Sequence, residues 1–365
     1  MRNAAKTLVL ILVAVALLLA GCGNKGGSSK SGGGDLPSNV PDQIREKWPI
    51  KIMVIRKIGG DDHTAQYLAG AKEEGEKMGF AVDTFSANGD SAKFHDAIQQ
   101  AMNQDYDGII ISHGDDEATI DEVRKIVDKG IPVVTFDSIE GLKDIPGVTM
   151  TAQDDFALAE MSLGQLVKDF NGQAKIVYLW VDGFPPMVRR NQVYQRILQE
   201  NPGIQELDRF GVAAADTPVQ TQNAVAAMLT KYPPGELDAI FATWDAFAIG
   251  ATRALNEAGR QEVKIYGIDV SNADLQAMQE ENSPWVATAA VDPKMIGAVN
   301  VRLLAKKIAG EDTPATYDLQ ANLITQEDLK KSSEAVNMVT LANIIPGWGQ
   351  TDAFEEEWMK ALKNR

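Results

Sequence analysis

The sequence predicts an α/β fold of two lobes, each a doubly wound parallel sheet covered by helices. Short apolar runs alternate with helical patterns along most of the chain, which is the order of parallel sheets with right-handed crossovers. The runs "DGIII" from Asp107 and "PVVTF" from Pro132 are apolar on both faces, as strands between two helix layers are. The residues that follow Trp48 are also more than one hydrophobic core usually holds.

The first half of the chain alternates between strand and helix patterns. Its strands are rich in β-branched residues, and its helices carry apolar residues at spacings of three and four. The predicted strands are 50–55, 81–85, 108–112 and 132–137, and the predicted helices are 64–78, 91–104 and 118–129.

The same alternation of strand and helix patterns occurs in the second half of the chain. The predicted strands are 175–181, 204–212, 239–242, 264–269 and 285–290, and the predicted helices are 186–200, 217–231, 246–257 and 293–309. The segments beginning at Asp107 and Asp238 each run strand, helix, strand and close on an aspartate, Asp137 and Asp269. We interpret them as two copies of one unit; the alternative is chance similarity between two βαβ units.

Composition excludes several functional classes. A formal charge of −16 argues against nucleic acid as a partner, because phosphates require a basic surface. Three histidines and a single cysteine argue against a zinc site and exclude a disulfide within the chain. No strand is followed by a G-x-G-x-x-G motif and no G-x-x-x-x-G-K-[ST] occurs, so we expect no cofactor.

The N-terminus has the build of a signal peptide. Arg2 and Lys6 precede an apolar run that ends in "LAGC", at the only cysteine. This ending resembles the bacterial lipobox, which implies cleavage after residue 21 and acylation of Cys22; the alternative is an uncleaved anchor. Residues 22–47, rich at first in Gly, Ser and Lys, are then expected to tether a body outside the cytoplasm. The anchor would lie in the plasma membrane of a Gram-positive host or in a periplasm-facing membrane of a Gram-negative host.

Two aspartates are the leading candidates for ligand binding. Ligands of open parallel sheets bind beyond the carboxyl ends of the strands, where Asp137 and Asp269 stand at matching places. A carboxylate accepts hydrogen bonds from neighbouring hydroxyls, which suits a sugar. The alternative for each is to cap the following helix.

Other candidates follow strands in both halves. The planar guanidinium of Arg189 offers hydrogen-bond donors at the opening of the cleft expected between the two lobes. Arg190, in contrast, is expected at the surface. Trp244 is expected to stack on a sugar face, and Trp180 is either a second stacking residue or core. In "GGDDHT", the residues Asp61, His63 and Thr64 either contact an uncharged ligand or cap the helix that follows. Asp62 is the favoured candidate for the helix cap.

An ordered set of motifs carries a family resemblance. The set is "LAGAKEEGEKMGF", "DYDGIIIS", "GIPVVTFDS", "LDAIFATWDAFAIGATRALNEAG", "KIYGIDV" and "WVATAAVDP". In this order, over residues 51–325, it resembles the type I periplasmic sugar-binding proteins of ABC transporters, with a ribose-binding-protein-like pattern.

The resemblance implies roles for individual residues. Asp137, Arg189 and Asp269 match sugar-binding positions of the family, and Asp61 replaces a hydroxyl-binding Asn. The remaining matches are replacements: His63 and Thr64 for two stacking phenylalanines, Ser138 for Arg, Asp216 near an aromatic position, Trp244 for Asn and Val291 for Gln. The general role is retained, and ribose as the ligand is put in doubt.

The resemblance also implies a hinge and partners. The chain would cross between lobes near residues 152–154, 291–293 and 318–320. Lobe one would comprise 48–152 and 292–318, and lobe two 153–291 and 319–365. A monosaccharide or related polyol would bind in the cleft of a monomer and be delivered to ABC permease and ATPase subunits.

Two other functions remain open from the sequence. The same fold could present a ligand to a chemoreceptor, a kinase or a quorum-signalling system. An enzyme is disfavoured, because no nucleophile with an adjacent base is visible.

Overall fold

A computed structural model describes residues 36–365, so the predicted leader, Cys22 and the first part of the predicted tether lie outside it. It contains two six-stranded sheets in the orders β11-β5-β4-β3-β1-β2 and β12-β10-β9-β8-β6-β7. All pairings are parallel except that of β10 with β12. The two lobes confirm the predicted fold class.

The strands and helices have the following bounds. The strands are β1 Lys51–Arg56, β2 Ala81–Ser86, β3 Gly108–Ser112, β4 Val133–Phe136, β5 Val148–Gln153, β6 Gln173–Leu179, β7 Gly203–Phe210, β8 Ala239–Ala242, β9 Lys264–Ile268, β10 Trp285–Ala290, β11 Thr316–Leu319 and β12 Asn322–Thr325. The helices are α1 Asp42–Lys47, α2 Asp62–Lys77, α3 Ser91–Met102, α4 Glu117–Asp128, α5 Asp155–Asp169, α6 Pro185–Glu200, α7 Thr217–Lys231, α8 Asp245–Glu257, α9 Asn272–Gln279, α10 Pro293–Ile308, α11 Gln326–Leu329 and α12 Glu357–Lys363. None of the helices among these residues is apolar over a length that could cross a bilayer.

The two sheets are built on one plan. Each position in the first sheet order has a counterpart in the second, so that β4 corresponds to β9 and β5 to β10. The chain passes from the first sheet to the second between β5 and α5, returns between β10 and α10, and passes again between β11 and β12. The carboxyl ends of the parallel strands of both lobes therefore face one cleft.

The N-terminal segment differs from the predicted tether. Residues 36–47 contain helix α1, and Leu36, Val40 and Ile44 are buried in the core of the first lobe. Within the segment, the Arg45 guanidinium donates to the Val40 carbonyl at 3.0 Å. Apolar residues at these positions give the segment a face to bury, which Gly, Ser and Lys do not supply.

The C-terminal segment was predicted to lie wholly on the second lobe, but it belongs to both. Met338, Leu341 and Trp348 pack into the second lobe, whereas Trp358 and Met359 of the last turns pack into the first. Residues 349–356, which we call the strap, join these two parts. The strap is a fourth connection between the lobes, in addition to the three that the resemblance implied.

Arg302 of α10 fastens the strap to the first lobe. Its guanidinium donates to the Thr351 carbonyl at 2.7 Å and to Glu74 of α2 at 2.5 Å. The same Glu74 carboxylate accepts from Lys363 of α12 at 2.5 Å. The strap is thus tied to α2 and α10 through buried charged groups.

Candidate functional site

A cavity lies between the lobes at the carboxyl ends of their strands. Seven polar side chains line it: Arg56, His63, His113, Asp137, Gln153, Arg190 and Asp269. Seven apolar residues complete the lining: Ile58, Val181, Phe184, Pro186, Met187, Ala213 and Trp244. Of the nine ligand-binding residues predicted from sequence, the cavity brings together His63, Asp137, Trp244 and Asp269.

The two predicted aspartates occupy equivalent positions. Asp137 directly follows β4 and Asp269 follows β9, with left-handed φ angles of 47° and 75°. Their backbone nitrogens donate to the neighbouring strands, to Thr151 of β5 at 3.0 Å and to Ala289 of β10 at 2.9 Å. Backbone strain of this kind concentrates at functional sites, and here it places one carboxylate from each lobe at the cavity.

Arg190 is a central residue of the site, so its predicted surface position was wrong. The side chain is buried, and its guanidinium donates to Asp155 at 2.8 Å, to the Thr243 carbonyl at 2.6 Å and to Asp269 at 3.2 Å. Burial of a guanidinium requires such paired carboxylates. Arg190 therefore fixes the orientation of Asp269 within the second lobe.

Arg189 lies beside the cavity and connects the lobes. It donates to Asp155 at 2.8 Å through Nε and to Asp137 of the first lobe at 3.4 Å. A second bridge runs from the Gln153 amide nitrogen to Asp269 Oδ1 at 3.2 Å, and a third from the backbone nitrogen of Asn272 to Asp62 at 3.1 Å. The lobes are therefore closed over the cavity.

Three polar atoms in the cavity wall have no hydrogen-bond partner within residues 36–365. They are Oδ2 of Asp137, Oε1 of Gln153 and Nε2 of His63, all buried. Buried polar atoms are nearly always paired, and leaving one unpaired costs about 1–3 kcal/mol. These atoms give the cavity free capacity for hydroxyl groups, which both donate and accept.

Burial also shifts the protonation of the site. It raises the pKa of Asp137 to about 7, an effect to which Asp155 adds and which Arg189 opposes. It lowers the pKa of His63, and it lowers that of His113 well below the usual value, with Arg56 adding to the effect at His113. Both histidines are therefore neutral at pH 7.

Four of the predicted residues support the site without lining it. Thr64 Oγ1 accepts from Nε of Arg56 at 3.1 Å, and Ser138 Oγ accepts from the Gly114 nitrogen at 3.2 Å. Asp61 caps α2 by accepting a hydrogen bond from the Thr64 nitrogen at 2.6 Å. The prediction that Asp62 is the helix cap was therefore wrong. Arg189, described above, is the fourth.

Three further residues considered in the sequence analysis lie outside the cavity. Asp216 is exposed at the start of α7, where it accepts from Gln220 at 2.7 Å. Trp180 donates to the Met187 carbonyl at 2.9 Å and stacks on Tyr178, which is a structural role. Val291 is buried in the core of the first lobe.

Sequence reasoning missed Arg56, His113 and Gln153. Each stands at or directly after the end of a strand, the signal that found Asp137 and Asp269. Arg56 is buried and hydrogen-bonds two hydroxyl groups, those of Thr64 and of Ser112, the latter at 3.3 Å. Its guanidinium therefore adds cationic hydrogen-bond donors to the polar lining of the cavity. The described residues contain no group of His, Cys, Asp or Glu side chains that could hold a metal ion.

The comparisons with known proteins agree with this architecture. Residues 52–312 match the periplasmic binding protein domain family. A crystal structure of a sugar ABC transporter protein from Yersinia enterocolitica is 54% identical, with a TM-score of 0.86, over 89% of this chain and 98% of that one. The 5-methylthioribose transporter solute-binding protein of Thermotoga lettingae, solved with 5-methylthioribose, is 34% identical, with a TM-score of 0.82, over 86% of this chain and 98% of that one.

A curated relative leads to the same family. The ribose import binding protein of Escherichia coli is 24% identical over 263 residues, which cover 71% of this chain and 84% of the relative. These relatives are binding proteins rather than enzymes, and the family is extracytoplasmic. The chain belongs to the type I periplasmic sugar-binding proteins, the substrate-binding components of ABC transporters.

Proposed function

We propose that the cavity captures one monosaccharide or a related polyol, that the lobes close on it by hinge motion, and that the closed protein delivers it to an ABC permease. The three unpaired polar atoms of Asp137, Gln153 and His63 carry this proposal. They come from the first lobe, and Asp269 faces them from the second, so a bound polyol would contact both lobes. Contacts of that kind stabilise the closed state in addition to the direct bridges between the lobes.

The charges of the site support a neutral ligand. The groups in and beside the cavity are Arg56, Arg189, Arg190, Asp137, Asp155 and Asp269. The three guanidinium groups face an equal number of carboxyl groups, of which Asp137, with its pKa raised to about 7, is partly ionised at pH 7, and both lining histidines are held neutral by burial. Ribose, arabinose, 5-methylthioribose and xylitol are suitable members of a test panel.

We further propose that Cys22 carries a lipid that anchors the protein outside the cytoplasm, and that the protein does not convert its ligand. The motif "LAGC" and the Gly- and Ser-rich residues after it support the anchor. The sugar-binding family supports a role in binding rather than catalysis.

A thermal-shift screen tests the central proposal. The soluble body is heated with each sugar of the panel, and a ligand at 100 times its Kd should stabilise it by about 2.7 kcal/mol. Chromatography of the recovered sugar checks that it is unchanged. No shift with any neutral sugar or polyol would refute the proposal, and a converted sugar would refute the absence of catalysis.

A further inference from the structure

Most of the apolar lining residues come from the second lobe, from the segments that follow β6, β7 and β8. Along the second sheet, Asp269 follows β9, Trp244 follows β8, Phe184 follows β6 and Ala213 follows β7. These strands are neighbours in the order β9-β8-β6-β7, so the lining residues that follow them change from acidic at β9 to apolar at β8, β6 and β7, with Arg190 of α6 as a charged lining residue in this part. The first lobe contributes Ile58, after β1, to this apolar side, next to the polar Arg56 and His63 from the same strand end.

A second cavity continues from this apolar side of the site. It shares Ile58, Phe184, Ala213 and Trp244 with the site, and we call it the annex. Its other lining residues are Lys57, Gly59, Asn88, Gly89 and Ala214. The Lys57 ammonium is paired with Asp115, so its charge is already compensated.

This arrangement does not suit a sugar with a hydroxyl at every position. A hydroxyl buried against Ile58, Phe184 and Trp244 would lose its water, and the exposed Asn88 is the one uncharged polar side chain that lines the annex, whereas an apolar group there gains from burial. A charged group such as a phosphate would incur a larger desolvation cost at the same wall.

We propose, resting on the proposed function, that the ligand is an uncharged sugar whose one end carries an apolar substituent, such as an alkyl or alkylthio group. The hydroxyl-bearing part binds Asp137, Gln153 and Asp269. The substituent packs against Phe184 and Trp244 and points toward the annex. These two aromatic residues therefore determine specificity.

Calorimetry with a ribose series tests the assignment. The probes are ribose, methyl riboside, 5-deoxyribose, ribose with a methylthio or a propylthio group at C5, and ribose 5-phosphate. We expect at least one alkyl-capped probe to bind at least tenfold more tightly than ribose, with a gain of roughly fourfold per added buried carbon. Ribose 5-phosphate should bind more weakly than ribose.

A substitution separates the substituent from the sugar. Phe184→Ala should weaken binding of the best capped probe by a factor at least ten times larger than the factor by which it weakens binding of ribose. Phe156→Ala is the matched control, because Phe156 is an exposed phenylalanine of α5 outside the cavity.

The outcomes distinguish the two levels of the proposal. If ribose or its phosphate binds as tightly as every capped probe, or if Phe184→Ala weakens all probes equally, the apolar-substituent inference is overturned and sugar capture stands. If neither this series nor the wider sugar panel binds, the proposed function itself fails.

Discussion

The Gln153 side chain and the Asp269 carboxylate join the two lobes directly. Nε2 of Gln153, at the end of β5, donates to Oδ1 of Asp269 at 3.2 Å. The same carboxylate accepts from Arg190 of its own lobe at 3.2 and 3.4 Å. Asp269 therefore combines two tasks: it is held in place by the second lobe and is contacted by the first when the cleft is closed.

Replacing Asp137 or Asp269 by Ala should reduce sugar affinity at least 100-fold. Each change removes the hydrogen bonds of one buried carboxyl group and leaves its partners unpaired, which costs about 1–3 kcal/mol for each unpaired group, and 1.4 kcal/mol is a factor of ten. Calorimetry with the best sugar of the panel measures the effect. Asp216→Ala is the control and should bind normally; unchanged binding in both cavity variants would show that the ligand lies elsewhere.

Arg190→Gln should destabilise the fold more than Arg189→Gln. Removing the buried Arg190 leaves Asp269 without its guanidinium, and breaking a buried pair costs about 3–5 kcal/mol. Arg189 is more exposed, and its loss leaves Asp155 still paired with Arg190. Urea unfolding of the two variants gives the comparison, and equal losses would contradict it.

Asp137→Asn should become progressively more stable than the wild type as pH rises from about 4 to about 7. Burial raises the pKa of Asp137 from 3.8 to about 7, so in this range the folded state retains a proton that the unfolded chain releases. Its contribution to stability therefore falls as pH rises and levels above about 7, whereas a neutral Asn does not titrate.

Denaturant unfolding of both proteins at several pH values measures this difference. His63 and His113, whose pKa values are lowered, act in the opposite direction below pH 6.5, because the unfolded chain then takes up protons that the fold excludes. Subtracting the wild-type curve from the variant curve removes their contribution. A pH-independent difference would show that Asp137 is charged in the fold throughout this range.

Met359→Ala should cost about 2–5 kcal/mol of unfolding free energy, the usual loss for a buried large apolar residue. Met359 is fully buried in the core of the first lobe although it lies near the end of the chain. Met161→Ala, at an exposed position, is the control and should change stability little. Equal stability of both variants would show that α12 is not part of this core.

Cys22→Ser should release the protein from membranes into the soluble envelope or culture fraction. A serine cannot form the thioether that the proposed lipid requires. Membrane fractionation and the mass of the N-terminal peptide measure the effect, and Ser28→Ala in the same segment is the control. Membrane retention of Cys22→Ser would contradict the anchor.

Much of the fold could be predicted from sequence because strand and helix alternate with clear periodicity. The two similar halves of the chain also place Asp137 and Asp269 at equivalent strand ends. The similarity of the halves therefore allowed both site residues to be predicted. Strand β5, "VTMTAQ", was missed, and Gln153 at its end was missed with it. Its run of Val and Thr residues was the available signal.

The remaining errors depend on tertiary packing. Arg189 and Arg190 are neighbours on α6, and successive helical residues point about 100° apart, so only the rotation of α6 on its sheet decides which one enters the cavity. For the same reason, the pattern "FEEEWMKAL" is typical of an amphipathic helix but does not say which lobe covers its apolar face.

The strap has a practical consequence for measuring closure. Because it returns the chain to the first lobe, Arg365 lies over the Trp48 ring at 5.6 Å, close to helix α1. The two ends of the described residues, 36 and 365, thus both belong to the first lobe. A fluorophore pair placed at the two ends would not report closure of the lobes. A reporter of ligand capture therefore needs one dye on the second lobe, for example on α7.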